Sequence, residues 1–221
     1  MLFGRRSVYS LLVWVLVCSG CGGARVSSPP TPTATATPAN TSRRVEEPAG
    51  GAPEWRRGDR WTYEWTSGSE RGTRTVEVVE LATVNGVDYY VVEVGATSQQ
   101  YYTRNLHYAA SVQASRVLAR MVPPQPWFVW PLKPGARWDY QGVFEEQLSS
   151  KKQTDTFAVV GMEQVTVAGG TFRAYKVVRQ GDHGDADQYW YAPDARWYVR
   201  WIGRRGDVQF EEQLQAYRSA P

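Results

Sequence analysis

Thr75-Val76-Glu77-Val78-Val79, followed after a short gap by Val84-Asn85-Gly86-Val87-Asp88-Tyr89-Tyr90-Val91-Val92, reads as a strand, a turn and a strand. Apolar and polar residues alternate with period two in the flanking segments, so one face is buried and the other wet. Asn85-Gly86 between them is a strong hairpin signal, because a type I′ turn needs positive φ at both central residues. The pattern returns downstream as Phe157-Ala158-Val159-Val160 and then Val167-Ala168-Gly169-Gly170-Thr171-Phe172-Arg173-Ala174-Tyr175-Lys176-Val177-Val178, with Gly169-Gly170 at the turn.

Moving outward from the two hairpins, the match continues. Gly58-Asp59-Arg60-Trp61-Thr62-Tyr63 ahead of the first corresponds to Gly135-Ala136-Arg137-Trp138-Asp139-Tyr140 ahead of the second. Gln100-Tyr101-Tyr102-Thr103 after the first corresponds to Gln188-Tyr189-Trp190-Tyr191 after the second, and the offset drifts from 77 to 88 residues as loops differ in length. Such self-similarity predicts an internal repeat, with copies over about 55–122 and 131–217 inside one β domain, 54–221. Strands around Leu106 to Leu118 and Arg196 to Tyr217 would close each copy. Apolar spacing over Val112 to Met121 would also suit a helix, but that stretch lacks a C-terminal Gly cap and runs into Pro123-Pro124. About four strands per copy predict a mainly β, antiparallel sheet of about 8–10 strands. A sheet of that size curls into a half-barrel or open barrel to hide its edges.

Composition is compatible with this. The chain has 221 residues, of which ten Trp, thirteen Tyr and six Phe supply ample apolar surface to bury, excluding disorder throughout. The two Cys, Cys18 and Cys21, precede any globular pattern, so they staple no fold and hold no structural zinc.

Residues 1–20 read as a secretory signal: Arg5-Arg6, an apolar run from Val8 to Val17, then Ser19-Gly20. The run is too short for a permanent span. Cys18-Ser19-Gly20-Cys21 resembles a bacterial lipobox, in which the final Cys is diacylated and becomes the mature first residue. Cys18 stands where Leu is usual, and the alternative is an ordinary signal with an incidental Cys. Residues 21–53 thus comprise a lipidated Cys21 and a tether rich in Pro, Thr and Ala, whose composition predicts a flexible, partly extended leash. Cleavage would remove two Arg and no acid, leaving a mature net charge of +1. With four Lys and no dense basic stretch, no nucleic-acid partner is expected. The expected membrane partner is the bilayer, through the lipid anchor, and a monomer is expected. The location would be the cell envelope. Gly22 is not the Asp that retains lipoproteins at an inner membrane, which favours the outer membrane, facing the periplasm, in an organism with two.

Three stretches occur in order: Pro131-Leu132-Lys133-Pro134-Gly135-Ala136-Arg137-Trp138, Val165-Thr166-Val167-Ala168-Gly169-Gly170-Thr171-Phe172 and Tyr189-Trp190-Tyr191-Ala192-Pro193. Together they resemble the TapB-like group of uncharacterised bacterial envelope proteins and lipoproteins, over roughly residues 56–217. An extra Gly splits the second motif, and Arg196-Trp197-Tyr198 replaces the usual Gly-Leu-Val. The resemblance implies a secreted β domain of undefined activity and transfers no catalytic residue. More distantly the arrangement is similar to the half-barrels of the lipoprotein carriers LolA and LolB, an analogy of fold alone.

The residues offer little catalytic chemistry, and no enzyme, cofactor or metal is expected. Phe-Glu-Glu-Gln-Leu occurs at 144–148 and 210–214, but adjacent Glu on a strand point to opposite faces, so each copy gives at most one carboxylate to a common cavity. Their expected place is the wet face. Asp182-His183-Gly184-Asp185-Ala186-Asp187 could attract a hard cation but lacks the order of a calcium loop, and reads as a polar hairpin. There is no Gly-x-Ser-x-Gly elbow, and His107 reads as a strand residue. What remains is the aromatic set, of which repeat-matched members such as Trp61 and Trp138 belong to the core. The candidate ligand-binding residues are Trp127, Phe128, Trp130, Tyr102 and Trp190. Trp127-Phe128-Val129-Trp130, in the Pro-rich connection between copies, is expected to be the most exposed. The ligand would be a lipid, a glycan or an envelope protein, bound non-covalently. The rival is a passive assembly scaffold, and a hydrolase using the Glu pairs is a third reading.

Overall fold

The computed structural model describes residues 51–182 and 184–221. The stretch read as a signal (1–20), Cys21, the part of the expected tether up to residue 50 and His183 lie outside them. Twelve strands follow one another: β1 (Arg60–Ser67), β2 (Glu70–Val84), β3 (Val87–Val94), β4 (Ser98–Thr103), β5 (Tyr108–Gln113), β6 (Arg116–Gln125), β7 (Arg137–Glu146), β8 (Ser149–Val167), β9 (Gly170–Gly181), β10 (Ala186–Ala192), β11 (Trp197–Arg205) and β12 (Val208–Arg218). Each pairs antiparallel with its chain neighbours, and β1 pairs with β12, which closes the barrel.

The expected barrel is therefore present, with twelve strands and full closure. The count rises because each closing segment is a hairpin. Over Val112 to Met121, the stretch with helical spacing, the chain turns at Ala114-Ser115, both at positive φ (47° and 63°). Neither residue is one that this conformation favours, so the sequence carries little sign of the turn. Closure removes the free edges that an open sheet would expose.

The halves β1–β6 and β7–β12 share irregularities. β2 and β3 shift register at Val78/Glu80, as β8 and β9 do at Val159/Gly161. β4 and β5 shift at Tyr101/Tyr102, as β10 and β11 do at Trp190/Tyr191. The Gly of each Gly-x-Arg-Trp motif serves the first pair of bulges. Gly58 (φ 94°) donates its N–H to the Val78 carbonyl, and Gly135 (φ 85°) donates to the Val159 carbonyl. Positive φ there suits only Gly at low cost.

In this meander the turns after odd-numbered strands lie at one end, the mouth. The termini and the turns after even-numbered strands lie at the other, the base. Trp55, ahead of β1, packs into the base with its ring 4.6 Å from that of Trp197 and 5.2 Å from that of Trp61. Asp59, fully buried, fastens the same end: it accepts the Arg56 and Ala220 backbone N–H groups and pairs with Arg196 at 2.5 Å. One carboxylate thus joins both termini to the β10–β11 turn.

Candidate functional site

The β6–β7 connection does not hang outside the barrel, as its prolines suggested. It folds inward at the base. Phe128 is completely buried, with its ring 5.2 Å from Tyr191 and 5.7 Å from Trp197. Breaking the ladder is what frees these residues to turn in: β6 pairs with β7 only from Ala119 to Val122, and Pro123 and Pro124 have no ladder partner. Val129 is the exposed member of the stretch, and half-buried Trp130 donates its N–H to the Asn105 carbonyl.

Trp127 sits higher in the barrel. Its ring lies between Tyr108 (5.7 Å) and Tyr189 (5.4 Å), nearly parallel to both, and Tyr189 in turn stacks on Trp201. Four rings therefore form a slab across the lumen. Tyr102 meets its edge at 5.7 Å. Although aromatic rings surround it, Trp127 is only half-buried, and the fully buried Phe128 and Trp197 lie towards the base. The slab is the floor of a cup.

The cup wall is polar. On one side Arg179 pairs with Asp155 at 2.7 Å and with Asp187 at 2.5 Å, all three buried. Gln153 and Gln125 donate to Asp155, and Gln125 accepts the Trp127 indole N–H at 2.9 Å, so the floor is tied to the wall. Arg205 and the Trp201 indole N–H complete the shell around Asp187. Gly203 makes room for this: a Cβ there would stand 2.8 Å from the Trp201 ring and 2.9 Å from an Asp187 oxygen. Alongside, on β2, β11 and β12, Arg74 and the Tyr198 hydroxyl both donate to Glu212, and Tyr198 stacks on Tyr63 at 4.9 Å. Above these clusters the inward side chains Trp65, Gln100, Met121, Phe144 and Phe210 are only half-buried, so the lumen opens at the mouth.

Burial opposes the charge on Arg74, but Glu212 and Tyr198 outweigh it and its pKa is raised. Burial likewise raises Tyr63, Tyr102, Tyr189 and Tyr198, with the nearest anion or phenol adding to it. Unfolded tyrosines lose their protons near pH 10, whereas these hold theirs beyond it. Stability is therefore complete below about pH 10 and falls as pH rises through the higher folded values, by about 1.4 kcal/mol per group per pH unit. Absorbance at 295 nm and circular dichroism, followed together in an alkaline titration, should show these phenolates forming only as the fold is lost.

Trp190 lies on the outer face. It is buried there between the Lys176 ammonium (4.9 Å) and the Arg200 guanidinium (5.1 Å), and it donates to Glu163. The five candidates are thus divided: Trp127 and Tyr102 meet at the floor, Phe128 plugs the base with Trp130 beside it at 5.9 Å, and Trp190 lies on the outer face. Glu212 is the residue that sequence reasoning misplaced. It is buried inside the barrel rather than on a wet face, while Glu211 points the other way to Arg200 at 2.7 Å. Glu145 pairs with Arg120. Half-buried His107 has its pKa lowered by burial. Asp187, read as part of a polar loop, is a buried member of the wall. Among the described residues no group of His, Cys, Asp and Glu is arranged to hold a metal ion.

No family model and no curated protein matches the chain. Solved structures do. The chain is similar to a candidate lipoprotein from Parabacteroides distasonis, with 11% identity and a TM-score of 0.40 over 74% of this chain and 96% of that one. It is also similar to a candidate exported protein with a YmcC-like fold from Bacteroides fragilis, with 11% identity and a TM-score of 0.44 over 75% and 97%. A third is the hypothetical lipoprotein YmcC from Escherichia coli, with 11% identity and a TM-score of 0.37 over 74% and 85%. Likeness at this level concerns the path of the chain and carries nothing about the cup.

Proposed function

We propose that the protein is a lipid-anchored envelope protein, held at Cys21, that binds an amphipathic ligand non-covalently in its barrel. The anchor faces the periplasm from the outer membrane where there are two, and the β domain is a tandem duplication of a six-stranded unit. The observation that carries the reading is the change in burial along the lumen. The rings at the base are sealed, while Trp127 and the side chains above it stay open to water. Twelve strands enclose more width than the roughly eight that side chains alone can fill. The ligand would lay an apolar face on the slab and present polar groups to the partly exposed cations at the rim of the two clusters, Arg74 and Arg205. Of the apolar or amphipathic ligands expected, the amphipathic ones suit this lumen better, because the wall is lined with charge. The resemblance to TapB-like envelope proteins agrees with this reading and names no ligand.

The test is native mass spectrometry of the acylated protein, released gently from its own membranes. A retained lipid or glycan mass, reduced at least tenfold in Trp201→Ala, is the expected result. A bare polypeptide that also takes up no added lipid would turn the reading into that of an assembly scaffold.

A further inference from the structure

The two long hairpins at the base meet different fates. The β8–β9 hairpin is covered: Gly169 donates its N–H to the Leu214 carbonyl of β12 at 2.9 Å, the Phe172 ring lies 5.8 Å from Tyr217, and Val165, Val167 and Phe172 are buried. Its counterpart, β2–β3, has no such cover. Val84 and Val87, a cross-strand pair at its tip, are 46% and 44% exposed on one face of the hairpin, and Leu81, 47% exposed, lies on the opposite face. Val117, Leu148 and Val208 at the mouth end are as exposed (50%, 99% and 46%), so what singles out the β2–β3 tip is its place beside the incoming chain.

The chain joins the barrel beside this tip. Trp55 donates its backbone N–H to the Tyr90 hydroxyl, and Tyr90 is the cross-strand neighbour of Leu81. Arg104 lies over the Tyr90 ring at 4.7 Å, and Arg56 and Arg57 are exposed nearby. None of these three guanidinium groups forms an ion pair with a described residue. Glu54, Glu80 and Asp88 are also exposed in this region, so the local charge is balanced and the apolar tip must carry the contact.

From these observations we infer that the β2–β3 tip seats on the bilayer that holds the anchor, turning the mouth of the cup away from the membrane. The inference rests on the lipid-anchor part of the proposed function. What makes a small tip sufficient is the tether. By composition alone, about thirty such residues would span roughly 30 Å in root-mean-square terms, which would hold the tip near the surface at an effective concentration of order millimolar. A contact too weak to recruit the free domain is then occupied most of the time, with the arginine stems lying along the headgroups. The ligand in this arrangement reaches the cup from the aqueous side or from a partner protein, and not directly out of the underlying leaflet.

The sequence makes a clean experiment possible, since Cys18 leaves with the signal and Cys21 is acylated. A single Cys can be placed at the tip (Val84→Cys) or, as a control, at the mouth turn between β7 and β8 (Leu148→Cys), where Leu148 is 99% exposed. Each acylated full-length variant, labelled with bimane, is reconstituted in phosphatidylethanolamine and phosphatidylglycerol vesicles (7:3) containing spin-labelled lipid. The expected result is quenching at Val84→Cys at least threefold stronger than at Leu148→Cys, lost when Leu81 and Val87 are also changed to Asp. Equal quenching at the two sites, with flotation of the vesicles still carrying the protein, overturns the inference alone. Protein that lacks the diacyl mass on Cys21 and does not float overturns the anchor reading and the inference with it.

Discussion

Replacing Arg179 by Met should lower the unfolding free energy by about 3–5 kcal/mol, the range expected when one partner of a buried ionic cluster is removed. Arg179 is the only cation that touches both Asp155 and Asp187 among the described residues, and all three side chains are almost wholly out of water. The loss comes less from the missing attraction than from the two carboxylates left behind. Asp187 keeps Arg205 and the Trp201 N–H, but Asp155 is left with neutral donors from Gln153 and Gln125. Adding Asp155→Asn should restore part of the loss at neutral pH, a non-additivity expected of groups in contact. Urea unfolding of the four proteins at pH 7 measures this. A loss under about 1 kcal/mol in Arg179→Met would mean that water reaches the cluster and that the wall is not the rigid shell described above. Lys is no substitute here, since one ammonium cannot match the fork that spans two carboxylates.

How much of this was legible in the sequence can be judged from particular residues. The strand-turn-strand reading around Asn85-Gly86 and Gly169-Gly170 is local: the first hairpin turns at Asn85-Gly86, both at positive φ, whereas the second turns one residue earlier than read, at Ala168-Gly169, with Gly170 already in β9. The two Gly-x-Arg-Trp motifs were recognised as a pair. Their reason, a Gly backbone fastened to a bulge in the following hairpin, needs a contact twenty residues away. Closure through β1 and β12 joins residues about 150 positions apart, such as Trp61 and Tyr217, and no periodicity encodes that. The site was harder still. Alternation correctly put Glu211 and Glu212 on opposite faces, but it could not say which face was inside, and the usual exposure of Glu gave the wrong answer. Four prolines between residues 123 and 131 were read as a sign of exposure because they break pairing. They do break it, and the released segment is long enough to fold into the barrel, where two aromatic side chains gain more by burial than an outer loop would.

Trp127→Ala should cost about 3–5 kcal/mol, at the low end of that range because the ring is only half-buried. The side chain touches Tyr102, Tyr108, Tyr189 and Trp197, so its removal leaves rings on several sides without a neighbour. The β6–β7 connection cannot slide in to fill the gap, since Phe128 is fixed against Tyr191 and Trp197 and the Trp138 indole N–H holds the Pro126 carbonyl at 2.9 Å. A deeper cup should result rather than a collapsed one. Trp127→Phe separates two contributions: it keeps most of the slab and loses the N–H to Gln125, whose oxygen then needs another donor. Its cost should be nearer 1 kcal/mol, read from urea midpoints at unchanged slope. If the slab is only core, ligand retention in the native mass spectrum should be unaltered by Trp127→Phe and by Trp127→Ala alike. If it is the floor of a binding cup, Trp127→Ala should abolish retention at a temperature where the barrel is still folded. Trp127→Phe should keep it, because a face for stacking remains although the hydrogen bond does not.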